Sequence, residues 1–244
     1  MIRLFAADGS MTGRVSESRM KKDSISMKKC VIIGAGACDT HKLRKQLIFN
    51  ENDLCIAADG GLDYLLEIGR MPDIVLGDMD SLEHEELIGS GHADFSIKRL
   101  PVEKDDTDML AAVKEGLAAG YWQFELYGAL GGRLDHTFAN VQCLLYLLNR
   151  GAKGILVGED VTLMLIRNEK LFFPAAQTAK GERVSVFAFG GDAHGVSEKG
   201  LKYLLDNVTV KLEFPIGVSN EFIGEDAEIA VESGMLLICV EGLE

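Results

Sequence analysis

From Lys29 to about Asp160, short apolar runs alternate with longer segments whose apolar residues recur at helical spacing. CVIIGAG, from Cys30, reads as a strand running into a glycine turn, and HKLRKQLIF, from His41, as a short helix. LCIAAD and PDIVLGD repeat the strand pattern, and between them GLDYLLEIG sets Leu62, Leu65 and Leu66 on one helical face. SLEHEELIG has helical spacing behind a capping serine, Ser81. DFSIKRL is a further strand, followed by a helix from about Asp105 to Ala119. WQFELYG is the next strand, in which Trp122 alternates with Phe124 and is expected to pack. LDHTFANVQCLLYLLNRG reads as a long core-facing helix closed by Gly151, and KGILVGE ends the series. Strands separated by helices of this length need crossovers. The pattern therefore predicts a Rossmann-like α/β domain, a mainly parallel sheet with flanking helices.

Beyond about Asp160 the period changes. VTLMLIRN, KLFFP, RVSVFAFG, NVTVKLEF, AEIAVESG and MLLICVE alternate with period two, and Gly, Asp and Asn turns separate them. That pattern predicts an all-β sandwich or barrel with antiparallel strands. A boundary is expected near residues 158–170, dividing an α/β domain of residues 27–160 from a β domain of residues 161–244. MKKCVIIG, from Met27, reads as the natural beginning of the fold, and residues 1–26 as a polar extension.

Bulk properties narrow the partners. Of 244 residues, 47% are hydrophobic, enough for a sizeable core without disulfides or structural metal. The formal charge of −13 leaves no basic footprint for nucleic acid, although a divalent cation can still mediate contact with a phosphate ligand. Cys30, Cys38, Cys55, Cys143 and Cys239 are odd in number, widely spaced and free of any Cys-x-x-Cys pair, which fits a reducing cytoplasm. No window approaches the ~18 apolar residues of a membrane span.

Ligands of open parallel sheets bind beyond the carboxyl ends of the strands. Acidic, glycine-bearing loops follow the predicted strands there. They are Asp59-Gly60-Gly61, Gly77-Asp78-Met79-Asp80-Ser81, Glu103-Lys104-Asp105-Asp106-Thr107-Asp108, and Gly131-Gly132-Arg133-Leu134-Asp135-His136. Turn and N-cap preferences alone account for a lone Asp-Gly-Gly, for Ser81 and for Asp105. They do not account for Asp78 together with Asp80 and Asp108, whose like charges on one rim call for a cation. Mg²⁺ takes hard oxygen ligands, usually one or two carboxylates completed by substrate phosphates and water. Asp78 and Asp80 alternate by two and project to one side of an extended segment. Asp105 and Asp108 are three apart on an expected first helical turn. Lys104 and Arg133 are the cations placed to meet phosphate oxygens. His136 reads equally as a ligand or as a first-turn helix residue.

Other nucleotide signatures are missing. GAGACD, Gly34 to Asp39, has an Asp in place of a third glycine and reads as a plain strand-to-helix turn. There is no P-loop, no Gly-x-Ser-x-Gly and no His-Glu-x-x-His.

DGG, PDIVLGDMDSL, EKDDTD, GALGGRLDH, GLKY and GVSNEF occur in that order, and with them the chain from about Lys28 to Val240 resembles the thiamine pyrophosphokinase family. The resemblance implies an α/β catalytic domain and a β-sandwich thiamine-binding domain in a homodimer. It also implies transfer of pyrophosphate from MgATP to the hydroxyethyl group of thiamine, giving thiamine diphosphate and AMP. By similarity Asp78, Asp80 and Asp108 hold Mg²⁺, and Lys104, Asp105, Thr107, Arg133, Asp135 and His136, with Asp59, Gly60 and Gly61, serve ATP. Ser219 and Asn220 match the thiamine-binding segment, which in the family lies at the dimer interface. Glu221, Phe222 or Tyr203 could favour the cationic thiazolium, though Tyr203 and Phe222 read as readily as core. Leu204 replaces a frequent proline, and Ala129-Leu130 stands where a threonine is often found. Two alternatives remain open on the residues: another Mg²⁺-dependent transferase or hydrolase, which would release ADP or inorganic phosphate, and a non-catalytic sensor, which would bind thiamine without consuming ATP.

Overall fold

The computed structural model describes residues 28–77, 95–99 and 105–242, and the predicted helix SLEHEELIG and the 1–26 extension lie outside them. The chain divides into two compact units, Lys28–Glu159 and, from Asp160 onward, a second.

The first unit runs β1 (Cys30–Ile33), α1 (Thr40–Gln46), β2 (Leu54–Ala58), α2 (Gly61–Glu67), β3 (Ile74–Gly77), β4 (Ser96–Arg99), α3 (Asp108–Ala118), β5 (Gln123–Tyr127), α4 (Leu134–Leu148) and β6 (Lys153–Val157). Its strands pair in parallel in the order β6-β5-β1-β2-β3-β4. β1 is the middle strand, with Ile32 opposite Ile56 on one side and Leu126 on the other. All four of its side chains are buried, as a strand covered on both faces requires. The chain moves outward to β2 on one side of β1 and returns as β5 on the other. The carboxyl ends of β1 and β5 thus flank the switch point where such sheets open a crevice.

Two local expectations are corrected here. α3 begins at Asp108, not Asp105, because the Thr107 hydroxyl accepts the Leu110 N–H at 3.2 Å and sets the cap, which leaves Asp105 in a bend. Trp122 is 54% exposed and precedes β5, so it does not pack. The alternation with Phe124 breaks because pairing in that sheet starts one residue later.

The second unit contains β7 (Val161–Arg167), β8 (Lys170–Phe173), β9 (Arg183–Ala188), β10 (Ala193–Lys199), β11 (Val208–Val210), β12 (Gly217–Glu221), β13 (Ala227–Ala230) and β14 (Met235–Glu241). Within it β12-β9-β14-β7 form one antiparallel sheet and β11-β10-β13-β8 the other, the two layers of a β sandwich. Val186, Ile238, Val196 and Ile229 are buried in it, and Phe173 meets Phe222 edge to face at 5.3 Å. β10 and β12 are strands that the apolar pattern does not announce, and NVTVKLEF contributes only the three residues of β11.

Candidate active site

A cavity of about 310 Å³ opens at the switch point of the first unit. Its floor is backbone. The Gly34 N–H donates to the Tyr127 carbonyl and the Gly36 N–H to the Gly128 carbonyl, both at 2.8 Å, so the loops that leave β1 and β5 lie against each other. A Cβ on Gly36 would stand 2.4 Å from the Gly128 oxygen, and one on Gly128 would stand 2.3 Å from the Gly34 oxygen. Only glycine allows that approach. The buried Asn140 amide donates to the Ala129 carbonyl at 2.7 Å and ties the β5 loop to α4. The Tyr64 hydroxyl donates to the Gly36 carbonyl at 3.0 Å and ties the β1 loop to α2.

The walls carry polar groups from several loops. Asp59, Thr107, Asp108, Arg133 and His136 all line the cavity. Asp59 adopts a left-handed backbone, φ 53°, fixed by its N–H donating to the Leu76 carbonyl at 2.8 Å. A strained aspartate at the mouth of a cavity is the kind of outlier that accompanies function. Asp108 is the first residue of α3, held in place by the Thr107 cap. Arg133 sends Nε and Nη2 to the two carboxylate oxygens of Asp135 at 3.1 and 2.6 Å. That bidentate contact holds the Asp135 carboxyl down at about 2, helped by the His136 N–H at 3.0 Å. Both partners are largely exposed, so the pair is weak and the guanidinium can be redirected to an arriving phosphate at small cost.

Other expected positions fall elsewhere. Gly60 caps α2. A Cβ on Gly61 would lie 1.9 Å from the Ile33 carbonyl, so this glycine lets α2 start against β1. Asp105 and Asp135 are not part of the lining. Asp78, Asp80 and Lys104 lie outside the described residues. Conversely, Gly34–Ala37, Gly128 and Asn140 line the cavity although the sequence reading left them as turn or core. The Gly-x-Gly directly after the central strand was their signal.

The donor set suits a magnesium ion. Asp59 and Asp108 both bring carboxylates to the cavity lining, and Mg²⁺ needs only one or two carboxylates when phosphates complete its shell. No cluster of three or more His, Cys, Asp or Glu with metal-holding geometry occurs among the described residues.

The second unit holds the remaining candidates. Ser219 is exposed on β12 and left-handed at φ 60°, where the pairing with β9 shifts register, and its N–H donates to the Ser185 hydroxyl at 3.0 Å. A bulge in an edge strand re-aims the side chain it carries. Asn220, the next residue, turns inward and is 6% exposed. Glu221 accepts both carboxylate contacts from Lys202, at 2.9 and 3.0 Å. Tyr203 is 60% exposed, whereas Phe222 is fully buried, which separates two residues the sequence left together.

Two family models match the chain in succession. The "Thiamin pyrophosphokinase, catalytic domain" covers residues 45–156, and the "Thiamin pyrophosphokinase, vitamin B1 binding domain" covers residues 171–236. The thiamine pyrophosphokinase of Bacillus subtilis strain 168 is 29% identical over 194 residues, 78% of this chain and 87% of that protein. A crystal structure of thiamine pyrophosphokinase from Bacillus subtilis superposes with a TM-score of 0.77 at 23% identity, covering 88% of this chain and 99% of that one. One from Geobacillus thermodenitrificans gives a TM-score of 0.72 at 26% identity, with 88% and 97% covered. Parallel α/β unit and β sandwich are therefore the two halves of one known enzyme architecture, and the chain belongs to the thiamin pyrophosphokinase family.

Proposed function

We infer that the chain is an ATP-dependent thiamine diphosphokinase. It transfers the terminal pyrophosphoryl group of ATP to the hydroxyethyl oxygen of thiamine. The observation that carries this reading is the glycine-bearing cavity lined by Asp59, Asp108 and Arg133, in a chain whose two units match the catalytic and vitamin-binding models in order.

The thiamine oxygen forms a bond to the β-phosphorus, the bond from that phosphorus to the oxygen bridging to the α-phosphate breaks, AMP leaves with that oxygen, and the hydroxyl proton is lost. Such a transfer depends on positioning and charge neutralisation more than on covalent help. The glycine floor lets polyphosphate approach backbone closely, and Thr107, Arg133 and His136, with Lys104, are the groups proposed to orient it. Asp108, with Asp78, Asp80 and Asp59, would hold Mg²⁺, which when bound neutralises phosphate charge and polarises the P–O bonds. Gly60, Gly61 and Asp135 are proposed to serve ATP indirectly, through α2 and the Arg133 fork, and Asp105 from the bend that precedes the α3 cap.

Thiamine is proposed to bind at the segment of Ser219, Asn220 and Glu221 with Tyr203, Asn220 holding that segment from inside rather than touching the ligand. A second copy is the proposed partner of the same face. Leu212, Phe214, Ile216 and Val218, in and before β12, all expose apolar side chains beside that segment. No helix among the described residues is long and apolar enough to cross a membrane. The free cysteines support a cytoplasmic setting.

Incubation with thiamine and MgATP, followed by chromatography of the products, tests the reading. Thiamine diphosphate and AMP are expected in equal amounts. Thiamine monophosphate with ADP, or phosphate release independent of thiamine, overturns it.

A further inference from the structure

Glu198 lies on β10, in one sheet of the sandwich, and Asn220 on β12, in the other. Both are buried, at 3% and 6% exposure. The Asn220 Nδ2 donates to Glu198 Oε2 at 2.8 Å and to the Tyr203 carbonyl at 2.5 Å. Its Oδ1 accepts the N–H of Tyr203 and that of Glu221, each at 2.9 Å. A primary amide has two donor hydrogens and two acceptor sites, so Asn220 has its full complement inside the protein. Its side chain is thus a clamp, tying the backbone of Tyr203 to that of Glu221 on the far side of Ser219.

The amide can hold these backbones only one way round. If it were reversed, its oxygen would face the Tyr203 carbonyl and the Glu198 carboxylate, two acceptors, and its NH₂ would face two N–H donors. Ionised Glu198 can only accept, so it adds to the Tyr203 carbonyl and the two N–H groups in favouring the orientation that serves the segment. The loop itself is anchored to the same residue, because the Glu198 N–H donates to the Leu205 carbonyl at 2.9 Å. Packing alone would not call for a carboxylate here. Desolvation pushes the Glu198 carboxyl up to about 7 against the lowering effect of the Asn220 bond, and an apolar side chain would fill the space without that penalty.

We propose that Glu198 is a positioning residue for vitamin binding: from the opposite sheet it fixes the Asn220 amide, which holds Tyr203 and Glu221 in register around Ser219. The proposal rests on the reading that residues 219–221 receive thiamine. Glu198 touches no substrate, and it acts on affinity for thiamine, leaving ATP untouched.

The test is steady-state kinetics of AMP release for Glu198→Leu, Glu198→Met, Glu198→Gln, Asn220→Ala and the Glu198→Leu/Asn220→Ala double variant, each checked for folding by circular dichroism and melting. Glu198→Leu and Glu198→Met remove the acceptor, and each is expected to raise the thiamine KM about tenfold while leaving the ATP KM and kcat within about twofold. Glu198→Gln, whose carbonyl still accepts, is expected to stay within about threefold of the parent. The double variant is expected to match Asn220→Ala within about twofold, since one residue acts through the other. An unchanged thiamine KM in whichever of Glu198→Leu and Glu198→Met folds, alongside a raised one in Asn220→Ala, overturns the positioning role and leaves the segment standing. Additive effects in the double variant, or Glu198→Gln as impaired as Glu198→Leu, also overturn it. Unchanged thiamine KM in both Asn220→Ala and Ser219→Ala removes the segment from the pocket, and the proposal falls with it. Should both apolar variants fail to fold, Glu198→Gln combined with Asn220→Ala carries the same cycle.

Discussion

Single residues decide the chemistry and one unusual pH response. Asp108 stands at the start of α3 on the cavity wall, so Asp108→Asn should lower AMP release by at least about 100-fold, the scale on which preorganised charges act, with circular dichroism unchanged. Near-normal turnover would remove it from the site. Chelation by EDTA should abolish turnover and added Mg²⁺ restore it; activity that survives chelation would defeat the metal reading. Glu198 gives a stability prediction with a definite sign. Its folded carboxyl, at about 7, lies above the ordinary 4.5. Its contribution is full below about pH 4.5 and is lost as pH rises through about 7. Glu198→Gln should therefore gain little at pH 5 and roughly 1–3 kcal/mol at pH 8 relative to the parent. Melting curves across that range check it, and a pH-independent difference in Tm would contradict it. Of these residues, Asp108 was legible in the sequence because acidic groups beyond strand ends are chemically conspicuous. Glu198 was not, since nothing local distinguishes a buried glutamate in VSEKG from a solvated one.

At the scale of elements, the parallel half was legible almost strand by strand, because buried strands such as VII and IAA are continuous apolar runs. Boundaries shifted where side chains capped differently, as at Thr107. In the sandwich two strands escaped notice. β10 carries Gly195 at φ 65° and a register shift, and β12 carries left-handed Ser219 and another shift. Each turns a polar residue, Glu198 or Asn220, into the core, so period-two alternation is lost on both. Start positions of helices can be probed as well. Gly61→Ala should destabilise the first unit by about 2–3 kcal/mol, lowering Tm by roughly 5–10 °C, because its methyl would meet the Ile33 carbonyl. Thermal melting measures this, and an unchanged Tm would show that α2 can slide away from β1.

For the molecule as a whole, the fold and family follow from the order of short motifs, none of which is diagnostic alone. The proposed association of copies is argued from what the sandwich leaves exposed. Phe214, 59% exposed, is the bulkiest member of the apolar strip that runs into β12. Phe214→Glu places a charge in that strip and should convert a dimer to monomer at micromolar concentration, raising thiamine KM at the same time. Light scattering coupled to gel filtration reads the mass. A dimer that persists would move the interface elsewhere.

The meeting of the Gly36 and Gly128 loops has an evolutionary corollary. At Gly36 and Gly128 any replacement adds a Cβ that would run into the backbone of the other loop. Those two points of the cavity base are therefore closed to stepwise tuning. On the proposed reading, new selectivity has to come from the other residues around the cavity or from the thiamine segment, so what is modified can change more readily than how polyphosphate is gripped.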